Sequence, residues 1–227
     1  MADDPRRIIE EMQEYYKRRA EVYDSSMGYD DPAAVVRLTP VIELMRELLK
    51  GRRVLEIACG PCFWTELMSC SASSIIATDA NSSVLEEARK KRLDPEKVAL
   101  RQADAYDLSG VPGKFDGAMA VDWFAHVPRS RFHPFLKNLH DKLEKGAVVV
   151  LCDQLPKETS LTGRYDAEGN HLQERISPDG RSFDVIKHFL SDEEISSVFS
   201  RYCDKVEARR FPECRRIVVS YVLKEGG

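Results

Sequence analysis

The chain has 227 residues, 43% of them hydrophobic and 32% charged, with a formal net charge of −4. That is enough for one α/β core, and it carries no excess of cations of the kind that displaces counterions from a nucleic acid. No apolar stretch approaches the ~20 residues of a membrane span, and Met1-Ala2-Asp3-Asp4-Pro5 lacks the apolar core of a secretory leader; the expectation is one principal cytoplasmic domain with no nucleic-acid or membrane partner.

Residues 5–23 predict an amphipathic helix and residues 32–50 another, with Pro32 suited to a first turn. An alternating unit follows: strand 53–58, helix 61–70, strand 74–78, helix 82–92, strand 97–102, strand 115–121, helix 130–143 and strand 147–153. Such alternation implies a parallel sheet. The pattern then changes, and Pro178-Asp179-Gly180 between residues 173–176 and 181–185 predicts a hairpin. Ser191-Asp192-Glu193-Glu194 opens a helix as a capping box, and strands near 205–211 and 215–223 close the sheet as an antiparallel edge pair.

Where the first strand ends, Val54-Leu55-Glu56-Ile57 runs into Ala58-Cys59-Gly60-Pro61-Cys62. A small-residue turn lets the backbone approach a ligand that larger side chains would displace. Asp79 ends the next strand, 23 positions after Glu56; a carboxylate there suits the two hydroxyl donors of a ribose. A dinucleotide needs G-x-G-x-x-G to seat its pyrophosphate on a helix N-terminus. Here only Gly60 remains of those glycines and Phe63 stands nearby, which favours a nucleoside ligand without phosphate.

With Glu56 leading the turn, the pattern resembles motif I of the class I S-adenosylmethionine-dependent methyltransferases, in the variant with alanine at the first glycine and cysteine next. Cys62 replaces the third glycine, where its Cβ is expected to narrow the methionine end of the pocket or shift its backbone. Ala103-Asp104-Ala105 matches the family's adenine-recognition motif, and residues 115–121 and 146–153 resemble its fourth and fifth strands. The likeness covers residues 50–155 well and the C-terminal strands more loosely, and is close to a generic group with an Ala-Cys-Gly turn. It implies a Rossmann-like seven-stranded, mostly parallel sheet of order 3-2-1-4-5-7-6 with helices on both faces. It also implies an N-terminal helical lid over 1–50 and a catalytic domain over 51–227, with 156–190 as a lid and acceptor insert.

The same resemblance implies S-adenosyl-L-methionine as cofactor. Its site would comprise Glu56, Ala58, Cys59, Gly60, Asp79, Ala80, Asp104, Ala105 and Val121, with Tyr16, Arg19 and Tyr23 reaching the methionine end from the lid. An ordinary amphipathic helix with core-packed tyrosines is the alternative for that segment.

Ligands of open α/β sheets bind beyond the carboxyl ends of the strands, which puts the segment 122–126 beside the reacting atoms. Orientation alone supplies ~7–11 kcal/mol in such a transfer, and a base adds about 10²- to 10⁴-fold where the nucleophile carries a proton. His126 and Asp122 are the candidate bases, with His133 and Asp153 behind them. His126 could instead cap the helix near Arg129, and Asp122 could orient the cofactor's ammonium. Trp123 and Phe124 suit an acceptor pocket or core packing. Arg164, Tyr165, Asn170 and Gln173, with Arg175 and Lys187, are the groups of the insert suited to reading a small-molecule acceptor. With five Lys or Arg against six Asp or Glu, segment 156–190 is no polyanion clamp.

The six cysteines read as reduced thiols, because Cys59 and Cys62 have no second ligand pair at zinc spacing. The expected activity is methyl transfer to an oxygen or nitrogen, less readily a carbon, of a small molecule. A non-catalytic cofactor-binding subunit, a nucleic-acid methyltransferase and a nicotinamide oxidoreductase are the alternatives.

Overall fold

Strands buried on both faces read as largely apolar runs, and the chain supplies them at β1 (Arg53–Ile57), interrupted by the buried Glu56, and at β4 (Phe115–Val121), apolar from Gly117 onward. In the computed structural model, which describes residues 5–224, these are the middle of a seven-stranded sheet. The sheet also holds β2 (Ser74–Asp79), β3 (Val98–Gln102), β5 (Leu143–Gln154), β8 (Val206–Phe211) and β9 (Arg216–Val222). The remaining strands, β6 (Leu172–Ile176) and β7 (Ser182–Ile186), form the expected hairpin apart from it. The order is β3-β2-β1-β4-β5-β9-β8; numbered within the sheet alone, that is the expected 3-2-1-4-5-7-6. The first five strands run parallel, and β9 is antiparallel to both β5 and β8. The reading of residues 1–5 as lacking a leader lies, for residues 1–4, outside the described residues.

The helices are α1 (Pro5–Arg19), α2 (Tyr23–Met27), α3 (Pro32–Arg37), α4 (Thr39–Leu49), α5 (Phe63–Ser69), α6 (Ser82–Ala88), α7 (Phe132–His140) and α8 (Asp192–Phe199). Because side chains alternate across a strand, Leu55 and Ile57 join Phe135, Leu139 and Phe199 under α7 and α8. Val54 joins Met45, Leu49, Trp64, Met68 and Leu85 on the opposite face, under α4, α5 and α6. The Ser191 capping box forms as expected: the Glu194 N–H donates to Ser191 Oγ at 3.2 Å, and the Ser191 N–H to Glu194 Oε2 at 2.9 Å.

Two expected helices are broken. Residues 5–23 give α1 and then a 3₁₀ turn, Ala20–Val22, before α2. Residues 32–50 divide at Leu38, because Pro40 in the first turn of α4 lacks the N–H that would bond back into a continuous helix. α1 packs on the hairpin through a third apolar cluster, Ile8, Met12 and Tyr15 against Leu172, Val185 and Ile186. Arg18 on α1 pairs with Asp179 in the hairpin turn at 2.5 Å. Helix and hairpin thus form one cover over the carboxyl ends of the strands. Among the described residues no helix is long and apolar enough to cross a membrane.

Candidate functional site

The turn after β1 is held in left-handed conformation at Ala58 (φ 51°), Gly60 (φ 57°) and Cys62 (φ 67°). At Gly60 an added Cβ would come no closer than 3.9 Å to Tyr23 Cε1, so the backbone conformation rather than space favours glycine there. Asp79, at the end of β2, accepts the Gly60 N–H at 3.1 Å and the Asn81 N–H at 2.9 Å. Burial pushes its carboxyl up, and these backbone donors counter that rise. Each oxygen keeps a further lone pair for a ligand.

Tyr16, Tyr23, Ala58, Gly60, Asp79, Ala80, Asp104, Ala105, Val121, Asp122, Trp123 and His126 all line one cavity, together with Met12 and Gln13 of α1. Trp123 therefore belongs to this chamber, where its indole packs near Tyr106 with ring centroids 5.9 Å apart. Trp123 Nε1 and the Tyr106 hydroxyl are buried without a hydrogen-bond partner, a state costing ~1–3 kcal/mol per group unless a ligand meets it. The chamber measures about 90 Å³, below the ~300 Å³ at the lower end for small-molecule sites.

Three of the expected cofactor residues lie elsewhere. Glu56 is buried beneath the turn and accepts Thr65 Oγ1–H at 2.6 Å; burial drives its carboxyl well above the usual range. Its place ties β1 to α5. Cys59 and Glu56 line a small void of about 20 Å³ that shares Tyr23, Ala58, Gly60 and Val121 with this cavity. Arg19 sits 5.0 Å from the Tyr23 ring and donates to Ser26 Oγ. Cys62, expected to crowd the methionine end, is fully buried in the layer with Trp64 and Met68 and lines neither this cavity nor its neighbour. A left-handed residue points its Cβ away from where a right-handed one would, so the thiol faces the core.

Tyr16, Tyr23, Asp122 and His126 also line a second, polar chamber of about 670 Å³. They form the junction between the two. His126 Nδ1 lies 2.5 Å from the Ile186 carbonyl oxygen, which can only accept, so the ring proton sits on Nδ1. Nε2 then accepts the Tyr16 hydroxyl at 3.0 Å. Burial first, and the Lys187 charge next, hold this imidazole neutral far below its usual pKa. Both ring nitrogens being engaged, His126 does not cap the following helix.

Asp122 sits at φ 54° with both oxygens occupied. Oδ1 pairs with Arg216 Nη1 at 2.6 Å, and Oδ2 accepts the Tyr29 hydroxyl at 3.3 Å. Burial raises its carboxyl, but Arg216 and then Lys187 bring it below the ordinary carboxylate range. The result is a fixed anion and a poor base. Arg216 Nη2 and Trp64 Nε1 both donate to Tyr29 Oη, at 2.9 and 3.0 Å. Tyr29 and Arg216 were not among the expected site residues; a charged residue opening the apolar run Ile217-Val218-Val219 was the only signal for Arg216.

The insert is sorted by the fold. Lys187 and Arg175 line the polar chamber, whereas Arg164, Tyr165, Asn170 and Gln173 do not. Arg164 makes two bonds to Asp184, at 2.9 and 2.8 Å. Tyr165 projects outward, 61% exposed. Asn170 is buried and pins a turn, accepting the Arg129 N–H and donating to Asp166, both at 2.8 Å. Gln173 accepts from Arg175 Nη2 at 2.5 Å and donates to the Ser160 carbonyl, so it orients Arg175. Phe124 stacks on Phe132 at 4.8 Å and is core packing. His133 contacts Tyr202 on α7's outer side, and Asp153 accepts the Ala125 N–H at 3.2 Å behind the junction. Among the described residues all six cysteines are free and no cluster suits a metal ion.

Residues 54–146 match the model of a methyltransferase domain family. Among characterised proteins, the chain is 30% identical over 82 residues to the ubiquinone biosynthesis O-methyltransferase of Azotobacter vinelandii, covering 35% of each chain. It is 27% identical over 107 residues to the demethylmenaquinone methyltransferase of Staphylococcus epidermidis, covering 46% of this chain and 44% of that one. The matches thus span less than half the length of these relatives. The DhpI–SAH complex superposes with a TM-score of 0.76 at 25% identity, over 96% of this chain and 98% of that one. The DhpI–SAM–HEP complex gives 0.76 at 26% identity, over 94% and 96%.

Proposed function

We propose that this chain, whose residues 54–146 belong to the methyltransferase-domain family within a class I S-adenosylmethionine-dependent methyltransferase fold, binds S-adenosylmethionine and methylates an oxygen or nitrogen of a small molecule. The observation that carries the reading is Asp79, its carboxylate fixed by two backbone N–H groups at the mouth of a cavity with unpartnered Trp123 and Tyr106 polar atoms. Bound S-adenosylmethionine supplies a methyl group on a cationic sulfur.

The chain's own residues do the rest. Asp79 takes the ribose hydroxyls, and Asp104 with Ala105 takes the adenine edge. Asp122 presents a fixed negative charge to the cationic end, held by Arg216. The Tyr16–His126 pair closes the junction against water. Residues before 51, with the hairpin insert, act as the lid, and the sheet from 51 onward as the binding and catalytic body. Orientation across the junction is the main source of rate.

The test is thermal unfolding with S-adenosylmethionine, S-adenosylhomocysteine or NAD at equal concentration. A ligand at a hundred times its Kd stabilises by ~2.7 kcal/mol. Stabilisation by the two adenosyl compounds and not by NAD is the expected result; the reverse order refutes the proposal.

A further inference from the structure

The polar chamber beyond the junction has an unusual charge. Its lining carries seven Lys or Arg side chains against three Asp or Glu, although the whole chain is net negative. Among the lining residues is Lys187, 2% exposed, whose ammonium has no hydrogen-bond partner. Its nearest acid is Asp153 at 3.8 Å, beyond hydrogen-bond reach. The Asp153 ion pair is loose and leaves all three ammonium donors unspent; buried donors without acceptors are expensive, and an anion entering this chamber would meet them. Arg175 reaches the same space from the hairpin, with its fork held by Gln173, and a guanidinium offers two parallel donors to an oxyanion.

The junction points the same way. Arg216 and Lys187 hold Asp122 as an anion, and burial with the Lys187 charge disfavours a proton on His126, whose two nitrogens are already hydrogen-bonded, so neither is poised as a base. A nucleophile that arrives already deprotonated needs no base.

We infer that the acceptor is a small oxyanion, a carboxylate or phosphate-type acid, held by Lys187 and Arg175 and methylated on its own anionic oxygen. The oxygen–carbon bond forms as the carbon–sulfur bond breaks, the electron pair passes to sulfur, and no proton moves. The acceptor loses one negative charge and the sulfonium its positive one. This rests on the methyl-transfer reading above. The chamber, about 670 Å³, has room for a small molecule.

The experiment titrates inorganic phosphate and acetate into the full-length protein, alone and saturated with S-adenosylhomocysteine, by calorimetry. At least one anion should bind saturably, and the preferred one tells a tetrahedral from a planar acid. Lys187→Met and Arg175→Met should each weaken that binding about tenfold or more, with S-adenosylhomocysteine affinity kept within about threefold. Arg164→Met, outside the chamber, should leave anion binding unchanged. If Lys187→Met does not fold, Arg175→Met on an exposed strand position gives the same readout. Binding of S-adenosylhomocysteine without either anion, or anion binding indifferent to both substitutions, overturns the inference alone. Absence of S-adenosylhomocysteine binding overturns the underlying reading and the inference with it.

Discussion

Asp122 shows how the site is built residue by residue. Its backbone is left-handed at φ 54°, which Asn tolerates as well as Asp, so Asp122→Asn changes charge without new strain. It leaves Arg216 buried and unpaired, and removing one partner of such a pair costs ~3–5 kcal/mol. Urea unfolding should register that loss, and adding Arg216→Met should recover most of it; additive losses would contradict the pairing. His188 gives a pH signature. Both its ring nitrogens are buried without partners, and burial lowers its pKa to about 4. A depressed folded pKa means stability that is full above about 6.5 and is lost as pH falls toward 4, at ~1.4 kcal/mol per pH unit. His188→Phe should therefore gain on the wild type by about 2 kcal/mol between pH 6.5 and 5 in paired denaturation curves; an unchanged difference would show the ring to be solvated. Gly60, Asp79 and Asp104 were legible in the sequence because each sits at a strand end in fixed spacing. Tyr29 was not, since it lies in a loop and acquires meaning only from Arg216 and Trp64 across the fold.

At the scale of elements, the cover formed by α1 and the β6–β7 hairpin has its own small apolar cluster, separate from the two layers on the sheet. A unit with so small a core opens locally before the molecule unfolds. Met12→Ala removes a side chain 5% exposed in that cluster and should cost ~2–5 kcal/mol of cover stability. Hydrogen exchange should quicken in residues 7–27 and 172–186 while β1 and β4 stay protected. Uniform quickening would show the cover and sheet to be one cooperative unit. The salt bridge from Arg18 to Asp179 is open to solvent and screened by it, so it adds little to this contact. Strands and hairpin were legible because apolar runs and Pro-Asp-Gly are local signals. The break at Ala20 was not, because it depends on burying Ala20 against the cavity, a tertiary demand that a helical pattern does not encode.

At the scale of the molecule, the sheet order decides which residues meet. Parallel β1, β2, β3 and β4 bring Ala58, Asp79, Ala103 and Val121 to one end, and the antiparallel β9 carries Arg216 back to Asp122. Segment 156–190 has no surplus of cations by count, yet the fold adds Arg19, Arg37, Arg215 and Arg216 to its Lys157, Arg175 and Lys187 in one chamber. Charge counted along a sequence does not reveal charge gathered in space. The most direct test of the whole account is calorimetric titration of S-adenosylhomocysteine into the wild type and Asp79→Ala. The account predicts one saturable site in the wild type and a loss of about 10- to 100-fold in the variant, from hydrogen bonds to a charged group. Absence of binding to the wild type, or equal binding to both proteins, would contradict it.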